Sequence, residues 1–300
     1  MITPPYLKKY DKVAIVATAR KVSHEELIPA IRIFESWGLE VVTGKNIYTE
    51  YNQFAGTDEE RIAGMQEILD DPLIKAVFFA RGGYGNIRIV DRIDFSGFLK
   101  NPTWIAGFSD VTVIHSHIHQ CFGVETLHCT MPYSIYTFPA EKESCESMRK
   151  ALFGEELVYS FQAGELSRKG SAEGLLTGGN LSIIYSLTGS ISDIETHGKI
   201  LFIEDVDEYL YHIDRMMMNL KRSGKLSRLS GLIVGNMTDM KDNEVKFGND
   251  AYSIIADAVK GYGYPVWFGF PAGHAVVNHA LILGRKVLMD ISDNATLRFY

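Results

Sequence analysis

The chain has little cysteine, no surplus of positive charge and no long hydrophobic run. Its three cysteines, Cys121, Cys129 and Cys145, lack metal-ligand spacing and cannot all pair. A framework joining every cysteine is excluded, and reduced thiols in the cytoplasm are the simplest account. The formal net charge of −7 argues against sequence-independent nucleic-acid binding, which needs a basic face. No stretch approaches the ~20 consecutive apolar residues of a membrane span, so no membrane partner is expected. The opening "MITPPYLKKYDKVAIVATARK" holds only the short apolar run "VAIVATA", preceded by prolines. That pattern is a first strand rather than a secretory signal. Repeats and low-complexity tracts are missing as well.

At 300 residues the chain is long for one core, and two domains are expected. Its first half alternates strand and helix. "KVAIVATA" reads as a buried strand. "SHEELIPAIRIFESWG" follows as a helix, with Ser23 as N-cap, Glu26 three residues on and Gly38 as the stop. "LEVVTG" is the next strand, and "TDEERIAGMQEILDDP" a second helix capped by Thr57 with Glu60. "IKAVFFA" and "WIAGF" are further strands. This repetition predicts a parallel sheet covered on both faces, with ligand-binding loops on the rim at the strand C-terminal ends. After about residue 150 the pattern weakens into short strand-like pieces broken by glycine, and a linker is expected between roughly 150 and 172. Beyond it, "KILFIEDVDE", "LSGLIVGNM", "PVWFGFPAGH", "ALILG" and "KVLMDIS" read as strands, with helices at "YHIDRMMMNLKRSG" and "DAYSIIADAVKGYG". The second domain is thus mixed and richer in strand.

The segment "ARGGYGNIR…NPTWIAGFSD" carries the candidate chemistry. Gly82, Gly83 and Gly85 form a loop after one strand, and Ser109 stands at a turn after the next. A strand, a sharp turn and a helix expose a nucleophile at a helix N-terminus, where unpaired N–H groups receive developing negative charge. Taken alone, a serine there is an N-cap. Gly107 permits a tight turn, but the lipase-type G-x-S-x-G is absent because position 111 is valine. A serine nucleophile needs a base, and the base an orienting acid. His274, in a Gly/Pro-bounded loop between two strands, is the best base; its duller reading is an exposed loop histidine. Glu204, ending the apolar strand "KILFIED", is the best acid, and strand alternation points its rival Asp205 to the opposite face. The expected oxyanion donors are the N–H of Asp110 and one from the glycine loop, assigned to Gly83. Arg81 and Tyr84 are the expected substrate contacts. Arg81 suits a terminal carboxylate, whereas Arg88 is expected to pair with Asp91 or Asp94.

Three other patterns have duller readings. His115 and His119 are four apart on one helix but lack an acidic partner motif; they read as helix-surface or interdomain histidines. The glycine loop carries Arg88 where a dinucleotide fingerprint needs Gly or Ala. The methionines 216–218 lie on an amphipathic helix and read as core.

Together, "ARGGYG", "GFSD", "LTGGNLSII", "LFIEDVDEYLYHIDRM" and "GFPAGHAVVNHALILGRKV" resemble the LD-carboxypeptidase family. These are serine peptidases that remove the terminal D-alanine of the murein tetrapeptide. The resemblance spans the whole chain and implies an α/β fold. An N-terminal Rossmann-like parallel-sheet domain (1–155) would join a smaller, β-rich, barrel-like α/β domain (165–300). The active site would lie between them, with Ser109 as nucleophile, Glu204 as acid and His274 as base. No metal or cofactor is implied, the substrate is a small peptide, and family members are commonly homodimers. Two segments depart from the family pattern. Cys129 and Thr130 replace Gly and Pro after the histidine that follows the nucleophile helix, and "ATARK" replaces a Pro-Ser turn. A related branch cleaves the acyl-nucleotide amide of a peptide–nucleotide antibiotic, and a non-catalytic small-ligand binder is a third reading. The compact length favours the murein branch.

Overall fold

The computed structural model describes residues 1–139 and 141–300. The first half supplies strands β1 (Lys12–Val16), β2 (Glu40–Thr43), β3 (Ile74–Phe79), β4 (Trp104–Gly107) and β5 (Thr126–His128). The second supplies β6 (Val158–Gln162), β7 (Gly170–Asn180), β8 (Ile200–Val206), β9 (Gly231–Thr238), β10 (Val266–Phe268), β11 (Leu281–Leu283), β12 (Lys286–Ile291) and β13 (Asn294–Phe299). Among the described residues these build two sheets, ordered β11-β5-β4-β3-β1-β2 and β10-β9-β8-β7-β12-β13-β6.

The first sheet is parallel from β2 to β5, as the strand–helix alternation predicts. Both expected capping boxes form. Ser23 and Glu26 start the helix His24–Ser36, and Thr57 and Glu60 start the helix Asp58–Asp70. Each box satisfies N–H groups that would otherwise end unpaired. The second sheet is mixed, parallel from β10 to β7 and antiparallel from β7 to β6. Past β6 the chain reaches the far edge. The N–H of Arg168 donates to the carbonyl of Val266 at 2.8 Å, so the sheet curls toward a barrel.

The expected linker over 150–172 is not one. It contains the end of the helix Glu143–Phe153, all of β6 and the start of β7. Its short glycine-broken pieces are held by β12 and β13, more than a hundred residues away, which no local pattern can announce. The span 155–165 holds β6, a strand of the second sheet. In addition, β11, from the second half, pairs antiparallel with β5 and closes the first sheet. The halves are joined further by a buried ion pair of Arg285 with Glu125 (Nε–Oε1 3.1 Å). One apolar cluster runs through both, taking in Phe34, Phe78, Leu281, Phe202 and Trp267. The second half keeps one core of its own, around Ile203, Met216 and Ile255, but the shared cluster joins the halves and gives the cleft between them firm walls. The methionines divide: Met216 and Met217 are buried, while Met218 is exposed.

Candidate active site

Ser109 stands where β4 runs into the helix Thr112–Phe122, on a single 3-10 turn. Its φ is +64°, in the left-handed region. For a residue with a Cβ this costs about 1–3 kcal/mol and persists only where surrounding structure imposes it. Here β4 is paired on both sides and the N–H of Val111 donates to the carbonyl of Phe108 at 3.2 Å. The loop after β3 presses in from above. A Cβ on Gly82 would lie 2.9 Å from the Ser109 Cβ, so the loop comes this close only because residue 82 lacks a side chain. Asp110 ties the two loops together. Its buried carboxylate accepts from the N–H of Asn86 at 2.9 Å, and the Asn86 amide donates to its carbonyl at 3.3 Å. The N–H groups of Gly83 and Asp110 have no partner among the described residues.

The second half brings two side chains to this turn. Glu204, near the end of β8, is completely buried, not a carboxylate in water. His274 lies in the loop between β10 and β11. Its Nδ1–H donates to Glu204 Oε2 at 2.7 Å. An ionised carboxylate only accepts, so Nδ1 must carry the proton and Nε2 is left as the acceptor. The Ser109 hydroxyl donates to that Nε2 at 3.0 Å. Gly273, at φ +116°, allows this loop against the acid, because a Cβ there would sit 2.6 Å from Glu204 Oε2. Asp205 points to the other face, as alternation predicts, and accepts from Asn180 Nδ2 at 3.0 Å and the N–H of Ser182 at 2.8 Å.

Burial alone would raise the Glu204 carboxyl. The His274 charge and hydrogen bond outweigh it and hold the group below the ordinary carboxylate range. Burial likewise pulls the His274 imidazole down, but Glu204, and after it Asp205, hold it above its ordinary value. Asp205 has no cationic partner among the described residues, and burial, followed by the Glu204 charge, pushes it up to about 7.

Ser109 and His274 open onto a cleft of about 540 Å³. Arg81 lines it, with its guanidinium 3.8 Å over the ring of Tyr133 and no acidic partner among the described residues. Tyr133 is placed by its N–H, which donates to the carbonyl of Ala80 at 2.9 Å. Tyr84, the other expected contact, is exposed and packs beside Phe54 (ring centroids 6.1 Å), outside the residues that line this cleft. Arg88 pairs with Asp58 (Nη2–Oδ2 2.8 Å), rather than with Asp91 or Asp94, because the intervening 3-10 turns direct it to the neighbouring helix. Of the two readings of His115 and His119 the interdomain one fits, because their helix packs against β7 and the helix Leu181–Leu187 of the second half, and His119 is half-buried. His115 is fully buried, with Nε2 2.9 Å from the carbonyl of Gly107, and burial lowers it to about 3. His119 Nε2 meets Thr126 Oγ1 at 2.9 Å. No cluster of three or more His, Cys, Asp or Glu is placed to hold a metal among the described residues.

Sequence reasoning missed Arg20, Tyr133 and Ser134, all of which line the cleft. Their signal was present, since they fall in "ATARK" and "LHCTMPYS", the two segments that depart from the family pattern. Cys129 and Thr130 themselves are buried behind the wall.

With this geometry in place, the chain was compared with known proteins. Residues 13–129 match the LD-carboxypeptidase N-terminal domain and residues 173–289 the LD-carboxypeptidase C-terminal domain. The chain belongs to the LD-carboxypeptidase family. A probable murein peptide carboxypeptidase of Bacillus subtilis is 35% identical over 98% of this chain and 93% of its own length. The crystal structure of muramoyltetrapeptide carboxypeptidase from Oxalobacter formigenes superposes with a TM-score of 0.86 at 26% identity, covering 96% of this chain and 98% of that one. The microcin C7 self-immunity protein MccF of Escherichia coli is 25% identical over 92% of this chain and 89% of its length. No helix among the described residues is long and apolar enough to cross a membrane.

Proposed function

We propose that this protein is a serine LD-carboxypeptidase that releases the terminal D-alanine of murein tetrapeptides during peptidoglycan recycling, as a cytoplasmic homodimer. The observation that carries the reading is the chain of contacts Ser109–His274–Glu204, at 3.0 Å and 2.7 Å, opening onto a cleft. Ser109 Oγ attacks the carbonyl of the L-to-D amide as His274 Nε2 takes its proton. The N–H groups of Gly83 and Asp110 receive the oxyanion, each contributing about 3 kcal/mol to barrier lowering. His274 then protonates the departing D-alanine amine, and water, deprotonated by the same imidazole, releases the acyl group. Glu204 holds the tautomer and stabilises the imidazolium.

A carboxypeptidase must also sense a free C-terminus. Arg81, backed by Tyr133 and free of acidic partners, is suited to the terminal carboxylate. A non-catalytic binder gives no reason for the aligned serine, histidine and glutamate. The MccF relative supports a second reading, amide cleavage in a peptide–nucleotide antibiotic.

The test is hydrolysis by purified protein of three substrates: murein tetrapeptide, its C-terminal amide and a peptidyl-nucleotide. The free tetrapeptide should be preferred over its amide by about 2–4 kcal/mol in kcat/KM, because the amide leaves a desolvated cation unpaired. Arg81→Ala should erase most of that preference. Turnover of the nucleotide conjugate alone would replace the murein reading by the second one.

A further inference from the structure

Behind the acid lies a group of buried polar atoms that the reaction as described does not use. Glu204 Oε2 accepts from His274, but Oε1 is buried with no hydrogen-bond partner among the described residues, the Asn180 amide being its near neighbour. His128 is completely buried at the end of β5, and neither ring nitrogen has a partner. Asn278 Nδ2 is a third such atom.

The three belong to one place. The His128 ring packs edge-on against Phe202, with centroids 5.0 Å apart, and Phe202 and Glu204 project from the same face of β8. Phe108 touches both imidazoles, His128 at 5.7 Å and His274 at 4.7 Å between centroids. The charged and titratable neighbours of His128 are Glu204, His274 and His115, with the Asn278 amide beside them. The orientation of that amide is not arbitrary. Its Oδ1 accepts from the N–H of Gly273 at 2.9 Å, so the amide nitrogen is the end left over.

An ionised carboxylate oxygen buried without a donor costs several kcal/mol. Donors and acceptors left open in one buried polar place are the mark of an internal water with about three hydrogen bonds. We propose that His128 and Asn278 are positioning residues for the Glu204 carboxylate, acting through one shared internal water. The water accepts from Asn278 Nδ2–H and from a ring N–H of His128, and it donates to Glu204 Oε1. The carboxylate is then gripped at both oxygens, one by the base it orients and the other by this bridge. This rests on the reading of Glu204 as the triad acid.

The bridge also spreads the Glu204 charge away from His274. Removing it concentrates that charge on the remaining partner, so the His274 imidazolium becomes easier to form and its titration midpoint rises.

Two measurements decide it, and neither needs a substrate. A high-resolution crystal structure of the wild-type protein should show one water within about 3 Å of Glu204 Oε1, Asn278 Nδ2 and a ring nitrogen of His128. The titration of His274, followed by NMR of histidine-labelled protein, should move to higher pH in His128→Phe, and His128→Asn, which keeps an N–H, should restore it. Where turnover is measurable, kcat in His128→Phe should fall about ten- to a hundredfold with KM little changed, the size expected when the partner orienting a functional group is lost. The idea is overturned if no such water is found. It is also overturned if His128→Phe folds and leaves the His274 midpoint where it was, even with reduced stability, because His128 is then a packing residue. A water and a shifted midpoint in a protein inactive on tetrapeptides would overturn the substrate reading alone.

Discussion

The two halves of the molecule contribute to the site by different physics. The first half works through backbone. Ser109 is presented by a strained turn, and the proposed oxyanion donors are the N–H groups of Gly83 and Asp110. The Asp110 carboxylate, which ties the two loops together, is the titrating group on this side. The second half works through buried ionisable side chains, Glu204 and His274, whose protonation each sets for the other. A backbone site is insensitive to pH but intolerant of an added Cβ. A side-chain site tolerates small shape changes but not the loss of a charge. Substitutions on the two sides should therefore fail in different ways.

The largest effect should come from removing the atom the first half presents. Ser109→Ala should lower kcat by at least ~10⁴-fold while the circular dichroism and melting profile stay those of the folded protein. Activity within tenfold of wild type would remove serine catalysis from the mechanism.

Next comes the charge supplied by the second half. Glu204→Gln keeps the shape of the acid and loses its charge, and kcat should fall roughly 10²–10⁴-fold. Asp205→Asn should be milder for the rate, because Asp205 faces Asn180 and Ser182 rather than His274. If Asp205→Asn proved the more damaging, the acid would be misassigned.

A purely geometric break should follow. Gly82→Ala adds one methyl 2.9 Å from the Ser109 Cβ and alters no charge. Displacing the serine by about an ångström should cost roughly 10²-fold in kcat, with the pH profile of wild type. A shifted acid limb instead would show that the glycine loop acts on the histidine and that the contrast between the halves is too simple.

The smallest effect is a displacement along the pH axis. The proposed reaction needs neutral His274, and the imidazole is held above its ordinary value. Activity should therefore fall on acidification through a midpoint above the ordinary histidine pKa of about 6.5. In the residual activity of Glu204→Gln that midpoint should move down, because burial then acts on the imidazole with less opposition. Linkage gives the matching sign for stability. The imidazolium–carboxylate pair favours the folded state below the unfolded-state pKa of His274, and this contribution fades as pH rises through the folded value.

Much of this was legible in the chain. Capping boxes at Ser23 and Thr57, strand–helix alternation to residue 128 and the turn at Ser109 are local properties. Alternation along β8 separated Glu204 from Asp205, because side chains in a strand must face opposite ways. Ser109, Glu204 and His274 were each singled out from their local settings, and a resemblance across the whole chain then tied them together as partners. The partner of Arg88 was misjudged because a 3-10 turn sets its side-chain direction, and such turns have no sequence period. For His115 the surface and interdomain readings both stayed open, because no sequence rule says that the helix Thr112–Phe122 is buried on nearly every side.

The sequence alone determined the local parts: which segments are strands and helices in the first half, where the helices begin, and which residue types can perform acyl transfer. Only the tertiary structure decided what depends on distant segments meeting. It carried β11 into the first sheet and turned an apparent linker into β6 and the start of β7. It also brought His274 to within 3.0 Å of a serine 165 residues away. Local preference follows from steric and hydrogen-bonding choices within a few residues. Register, burial and the shift of a buried pKa are set by whatever packs against a group, and here those neighbours come from the other half of the chain.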